Sequence, residues 1–137
     1  MAPTQETPQY GVKDASFQAA GQEPGVRKLV DAFYDEMEVL PEAKLIRDMH
    51  PEDLEESRDK LARFLCGWLG GPKLFQAKYG KIRIPLAHRH LAIGLSERDA
   101  WLLCMEHALQ KQDFNPLFKK YLLEQLFVPA EGSRNQE

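Results

Sequence analysis

The stretch 26–37 constrains this fold most. Val26, Leu29, Val30, Phe33, Tyr34 and Met37 fall at i, i+3, i+4, i+7, i+8 and i+11, the repeat of one apolar helix face. A face of that breadth has to be covered, and the rest of the chain offers more helices to cover it. Over about 52–69, Leu54, Ser57, Leu61, Phe64, Leu65 and Trp68 share a face. Glu52, Asp53, Glu55 and Glu56 load the start of that segment with acid, which suits a helix N-terminus. Gly70-Gly71-Pro72 stops it. A further stripe, Trp101, Cys104, Met105, Ala108 and Leu109, predicts a buried helix face running to about Gln110. Ser96 is its expected N-cap, with Asp99 three residues on as the capping-box partner. Asp113 or Asn115 caps a last helix with Pro116 in its first turn. Leu117, Phe118, Tyr121, Leu122 and Leu126 are the stripe of that helix.

Shorter helices complete the pattern. One is expected over 13–20, with Phe17 and Ala20 inward, broken by Gly21-Gln-Glu-Pro-Gly25. Another spans 41–48, burying Leu45 and Ile46, and ends at Met49-His50-Pro51 because the residue before a proline is pushed out of the α region. A third covers 73–78 and ends at Tyr79-Gly80. Only Ile82 and Ile84 alternate as a strand would, and no second strand is there to pair with them. The expectation is an all-α domain of six or seven helices over 13–127. A flexible N-terminal arm (1–12) precedes it and a polar C-terminal tail (128–137) follows.

Composition narrows the function. With 137 residues the chain can bury a sizeable core. Its net charge of −3 gives no basic field, so no nucleic acid is expected as the main partner. Cys66 and Cys104 lie inside helical apolar patterns and form no CxxC pair, which reads as buried thiols in a reducing compartment. No apolar run approaches a membrane span, and residues 1–10 do not read as a secretory signal, so a cytoplasmic location is expected. No Ser-His-Asp order, P-loop or GxGxxG is present.

The histidines carry the remaining chemistry. His88 sits in the apolar stretch Pro85-Leu-Ala-His-Arg-His-Leu-Ala-Ile93, just before the helix that holds Trp101. A haem-iron site needs one imidazole on the metal and dry walls around it. A core histidine with ordinary partners fits the same pattern. His88 and His90 are two apart and would point in different directions on a helix. His107 lies among polar neighbours and is expected to face solvent, and His50 stands at a proline-bounded corner where a loop or capping role is the plain reading. Tyr34 and Trp101 are ordinary core aromatics, or else bring an O–H and an N–H to a site.

Several blocks bear on that choice together: Leu29-Val-Asp-Ala-Phe-Tyr-Asp-Glu-Met37, Met49-His-Pro-Glu-Asp53, Phe64-Leu-Cys-Gly-Trp-Leu-Gly-Gly-Pro72, Ala87-His88 and Glu97-Arg-Asp-Ala-Trp-Leu-Leu-Cys-Met105. With these, the chain over about 14–127 resembles the truncated haemoglobins, the two-over-two globins, and within them group II. The resemblance implies a two-over-two helical sandwich around haem. His88 matches the proximal iron ligand. His90 stands as the alternative, because Arg89-His90-Leu91 replaces the family's usual Leu-Pro-Phe-like run, although the spacing back from Trp101 favours His88. Trp101 matches the tryptophan that lies over the distal side and donates its N–H. Tyr34 matches the distal tyrosine, and His50 a position that is Tyr, His or Phe in the family.

Ser57 falls where larger globins place a distal histidine, and Leu61, one turn later, is an expected pocket wall. Ser57, Lys60, Leu61 and Phe64 are the expected cofactor contacts beside His88 and Trp101. The family's basic residue before the proximal histidine is Ala87 here, leaving Lys60, Arg58 and Arg83 as candidates for a propionate. The family's glycine pair before the second helix survives as Gly21 and Gly25.

The implied cofactor is haem b, held non-covalently since no CxxCH is present. The implied ligands are O2, NO and CO, with peroxide a further one. Tyr34, His50 and Trp101 would stabilise the ligand, and Tyr34 or His50 could approach the sixth iron position. The implied roles are nitric-oxide or peroxide detoxification, through nitric-oxide dioxygenase or peroxidase-like activity with an unidentified reductase, or plain O2 storage and delivery. A haem-free helical interaction or sensor domain is the reading from another class.

Overall fold

A computed structural model describes residues 9–81, 91 and 93–135. Among them every regular element is a helix: α1 (Ala15–Ala19), α2 (Gln22–Val39), a 3-10 turn (Pro41–Ala43), α3 (Lys44–Asp48), α4 (Glu55–Trp68), α5 (Leu74–Tyr79), α6 (Leu95–Gln110) and α7 (Pro116–Gly132). α2 is the hub. It packs on α4 along one side and on α6 along the other, and α6 in turn packs on α7. The predicted apolar face of α2 is buried along its whole length, from Val26 to Met37.

The break before α2 is narrower than its sequence suggests. Gly21 alone turns the chain, at φ +86°, and α2 starts at Gln22 with Pro24 and Gly25 inside its first turn. A proline costs little there, since the first N–H groups of a helix have no intrahelical partner. A Cβ on Gly25 would lie 1.7 Å from the Ala20 carbonyl oxygen, so glycine is what lets α2 begin against the end of α1. The Gly70-Gly71 pair does similar work at the other side of α1. A Cβ on Gly70 would meet the Lys13 carbonyl oxygen at 1.8 Å, and one on Gly71 the Phe17 ring at 2.6 Å. Phe17 N–H donates to the Leu69 carbonyl at 3.1 Å, so α1 is seated directly on the end of α4.

Several local expectations are corrected by packing. Leu45 is 65% exposed, and Ala43 and Ile46 fill the core instead. Leu117 is likewise exposed, while Phe118, Leu122 and Leu126 are buried and Tyr121 is half-buried. α6 starts at Leu95, ahead of the expected Ser96 cap. Glu97 reaches back to accept the Gly94 N–H at 2.7 Å, and Asp99 is taken by Arg98 at 2.9 Å. Asn115 does cap α7, its side chain accepting from the Leu117 N–H at 2.8 Å. α7 runs on through Pro129 to Gly132 and buries Ala130, so much of the stretch expected as a polar tail is helix. The missing Pro129 N–H leaves its orphan carbonyl at exposed Gln125, where water can satisfy it. At the other end, residues 9–12 of the expected arm are docked. Tyr10 packs on Phe118 and Tyr121, with ring centroids 4.9 and 5.1 Å apart, and Gly11 N–H donates to Ser16 Oγ at 2.9 Å.

Candidate functional site

Three of the sequence-predicted donors meet on one run of aromatic rings. Tyr34 and Phe33 are adjacent on α2, with ring centroids 4.9 Å apart and edge to face. Phe33 lies 5.0 Å from Trp101 of α6, and Tyr34 lies 5.7 Å from His50, at the corner after α3. The order Trp101, Phe33, Tyr34, His50 is therefore continuous across three parts of the fold. Such ring pairs at 4.5–7 Å hold one another's orientation.

Each donor has a distinct state. Tyr34 is buried, and its hydroxyl donates to the Ser57 carbonyl across 3.4 Å, a long bond. Burial raises its phenol well above the ordinary range, outweighing the opposing Arg58 guanidinium, which sits 5.6 Å over the ring. The hydroxyl stays a neutral donor. His50 Nδ1 lies 2.7 Å from the Ile46 carbonyl. A carbonyl only accepts, so Nδ1 carries the proton and Nε2 of the neutral ring is an acceptor. Trp101, half-buried, offers an indole N–H that can only donate.

α4 supplies the wall. Its predicted face splits in two: Leu54 and Leu65 are buried, while Ser57, Leu61, Phe64 and Trp68 are half-buried, and Ala62, Cys66 and Leu69, outside the predicted face, fill the core. Leu61, Phe64, Trp68 and Trp101 pack against the core from outside it. An apolar stripe left half-covered, beside a run of oriented donors, fits a flat apolar macrocycle with a polar ligand on one face. Lys60 pairs with Glu56 at 3.3 Å on the surface, a weak i,i+4 contact that an incoming propionate could displace. Arg58 is committed to Asp31 at 3.2 Å and Asp35 at 3.0 Å, which makes it the poorer candidate. His88, His90 and Arg83 lie outside the described residues.

Two charged groups were not anticipated from sequence. The Asp59 carboxylate of α4 accepts from Arg27 of α2, from Arg63 on its own helix, and from Lys78 and Tyr79 of α5, at 2.7–3.0 Å. Burial alone would raise its pKa, but the bonds from Tyr79, Lys78, Arg27 and Arg63 outweigh it and hold the carboxyl far below the usual range. Glu36 is buried on α2 and pairs with Lys111. His107, expected in solvent, is half-covered with Nδ1 3.7 Å from Glu36. The spacing of acids and bases at i and i+4 hints at pairs such as Asp59–Arg63, but the longer-range partners have no local signature. Both cysteines are buried, and burial pushes the Cys66 and Cys104 thiols up to about 11 and about 12. Among the described residues no helix is long and apolar enough to cross a membrane.

Known proteins share this fold. The family model described as bacterial-like globin matches residues 15–128. The group 2 truncated haemoglobin YjbI of Bacillus subtilis is 31% identical over 123 residues, covering 90% of each chain. Among solved structures, the cold-adapted truncated haemoglobin of the Antarctic bacterium Pseudoalteromonas haloplanktis is 35% identical with a TM-score of 0.85, covering 89% of this chain and 98% of its own. The group II two-on-two haemoglobin of Agrobacterium tumefaciens is 34% identical with a TM-score of 0.84, covering 98% of this chain and 100% of its own. With the family matched over most of its length and a two-over-two globin fold around the Trp101–His50 run, the chain belongs to the bacterial-like globins and is a group II truncated haemoglobin.

Proposed function

We propose that this chain holds haem b non-covalently and reversibly binds O2, NO and CO, acting in nitric-oxide or peroxide detoxification. The observation that supports this most is the ring run from Trp101 to His50 beside the half-covered face of α4. Haem, when bound, supplies an iron position for a diatomic ligand. His88 is the residue we assign to hold that iron from the proximal side.

The chain's own residues then set what happens to the ligand. Leu61, Phe64 and Trp68 would cover the macrocycle and keep water from it, which would strengthen every hydrogen bond made inside. The Trp101 indole donates toward the ligand. The Tyr34 hydroxyl, held only by the long bond to Ser57, turns to a better acceptor at small cost. His50, fixed by the contact of its Nδ1 with the Ile46 carbonyl, is the residue we assign to relay protons to a protic ligand such as peroxide. This mixture of donors and one base suits turnover more than storage alone. Turnover needs electrons, so a separate reductase is the implied partner. Buried free thiols suit a reducing compartment, which supports a cytoplasmic location.

The test is an absorption spectrum with stoichiometric hemin for wild type and His88→Ala, in ferric, ferrous and CO-bound states. A strong Soret band that shifts with CO and is lost in the variant supports the reading and ranks His88 above His90. An unaltered variant moves the ligand to His90. No uptake by the wild type sinks the haem reading. Repeated consumption of NO by the O2-loaded protein with added reductant separates detoxification from storage.

A further inference from the structure

Arg58 reaches from α4 over the ring of Tyr34, and its guanidinium is tied to α2 by three hydrogen bonds. Its Cζ stands 5.6 Å from the Tyr34 ring centroid. One Nη donates to the Asp31 carbonyl at 3.0 Å and to Asp31 Oδ1 at 3.2 Å, and the other donates to Asp35 Oδ1 at 3.0 Å. Asp31 and Asp35 are four apart, so they share one face of α2. Tyr34 stands three residues after the first and next to the second, so the tie brackets it. Both carboxylates are largely exposed, while the Arg58 side chain is only 27% exposed.

Tyr34 has little else to place its hydroxyl. The O–H donates to the Ser57 carbonyl across 3.4 Å. Ser57 directly precedes Arg58, so the side chain that covers the ring also ties to α2 the stretch of α4 that carries the accepting carbonyl. Phe33 and His50 meet the ring edge to face at 4.9 and 5.7 Å and set its plane. A cation over a phenol ring is attracted to its face and favours negative charge on the oxygen, which makes the O–H a stronger donor. The Arg58 charge opposes the effect of burial on this same phenol. As a stability device the tie adds little, because ion pairs to exposed carboxylates are weak and Arg27–Asp59 already joins α2 to α4.

We propose that Arg58 is a positioning residue for Tyr34: held by Asp31 and Asp35, it fixes the phenol ring against the Ser57 carbonyl and so sets how strongly the hydroxyl donates to a bound diatomic ligand. This rests on the haem reading above, with Tyr34 as the donor on the ligand side.

The experiment uses full chains loaded with hemin, then reduced and bound to CO or O2. It compares wild type, Arg58→Met, Arg58→Lys, Tyr34→Phe and the double variant Arg58→Met/Tyr34→Phe. Three quantities are read: the C–O stretching band, which reports donors near the ligand, the rate of O2 release, and the Tyr34 Cζ resonance of the CO form in protein with carbon-labelled tyrosine. That resonance is identified by its absence from Tyr34→Phe. For Arg58→Met we expect a shifted band, a displaced Tyr34 resonance and O2 release about two- to five-fold faster, as for loss of one cation–ring contact. The lysine variant keeps the charge, loses the fork and falls between. In the Tyr34→Phe background, Arg58→Met should change neither the band nor the rate further, since its route runs through the hydroxyl. An equal change in both backgrounds overturns the proposal, because Arg58 then only braces two helices. An unmoved Tyr34 resonance overturns it too. Should Arg58→Met fail to fold, Asp35→Asn takes its place in both backgrounds, since it weakens the tie from α2 and leaves α4 intact. A wild type that takes up no haem ends the haem reading and this proposal together, whereas haem uptake with additive variants ends this proposal alone.

Discussion

Tyr34 shows how much one side chain's surroundings decide. Its hydroxyl is buried, weakly held by Ser57 and kept protonated by burial. Tyr34→Phe should therefore speed O2 release about five- to thirty-fold, the worth of one well-aligned hydrogen bond of 1–2 kcal/mol, as measured by stopped-flow displacement. The same burial fixes a pH expectation. The phenol's pKa lies above its ordinary value near 10, so the donor persists to higher pH, and O2 release should show no step from tyrosine ionisation below about pH 10. Gly25 is a structural counterpart. A methyl group there collides with the Ala20 carbonyl, and Gly25→Ala should cost about 1–3 kcal/mol in urea unfolding, as overpacking generally does.

At the scale of elements, Asp59 staples α2, α4 and α5 with a single carboxylate. α5 has no fully buried residue of its own, so this staple and its packing on α4 hold it in place. Asp59→Asn should cost about 1.5–3 kcal/mol at pH 7, the range for hydrogen bonds to a charged group. The sign with pH follows from the lowered pKa in the folded state. The carboxylate's contribution is complete above the unfolded value near 4 and is lost as pH falls below it toward the folded value. The gap between wild type and variant in urea titrations should therefore narrow in acid. Asp59 was not foreseen as a hub because Tyr79 lies 20 residues away and Arg27 32 residues away.

At the scale of the molecule, the half-covered stripe on α4 is the surface that the proposed haem would cover. Whatever binds only the folded state stabilises it by mass action, about 4 kcal/mol at a thousand times its Kd. Hemin should raise the thermal midpoint of the wild type by several degrees, and of His88→Ala far less, as differential scanning calorimetry would show. The two-over-two sandwich follows from α2 having neighbours on both sides, with α7 covering α6 from beyond. That arrangement places Tyr34 and Trp101 on two helices that pack directly on each other.

The sequence by itself determined the helices, because apolar repeats and caps act over a few residues. The buried face of α2, the stops at Met49-His50-Pro51 and Gly70-Gly71-Pro72, and the Asn115 cap were all legible in it. Its motifs also singled out Tyr34, His50 and Trp101, which the fold brings onto one run of rings. Tertiary structure alone decided which side of each helix had a neighbour. It left Leu45 and Leu117 in solvent and Leu61 and Phe64 half-buried at the edge of the core. It placed His50 Nδ1 against the Ile46 carbonyl, drew His107 to Glu36, and gave a polar tail residue, Asn135, three hydrogen bonds to Leu91 and Ile93. The reason is common to all of these. A side chain's periodicity says that it seeks cover, but burial, charge pairing and tautomer depend on atoms brought in from tens of residues away.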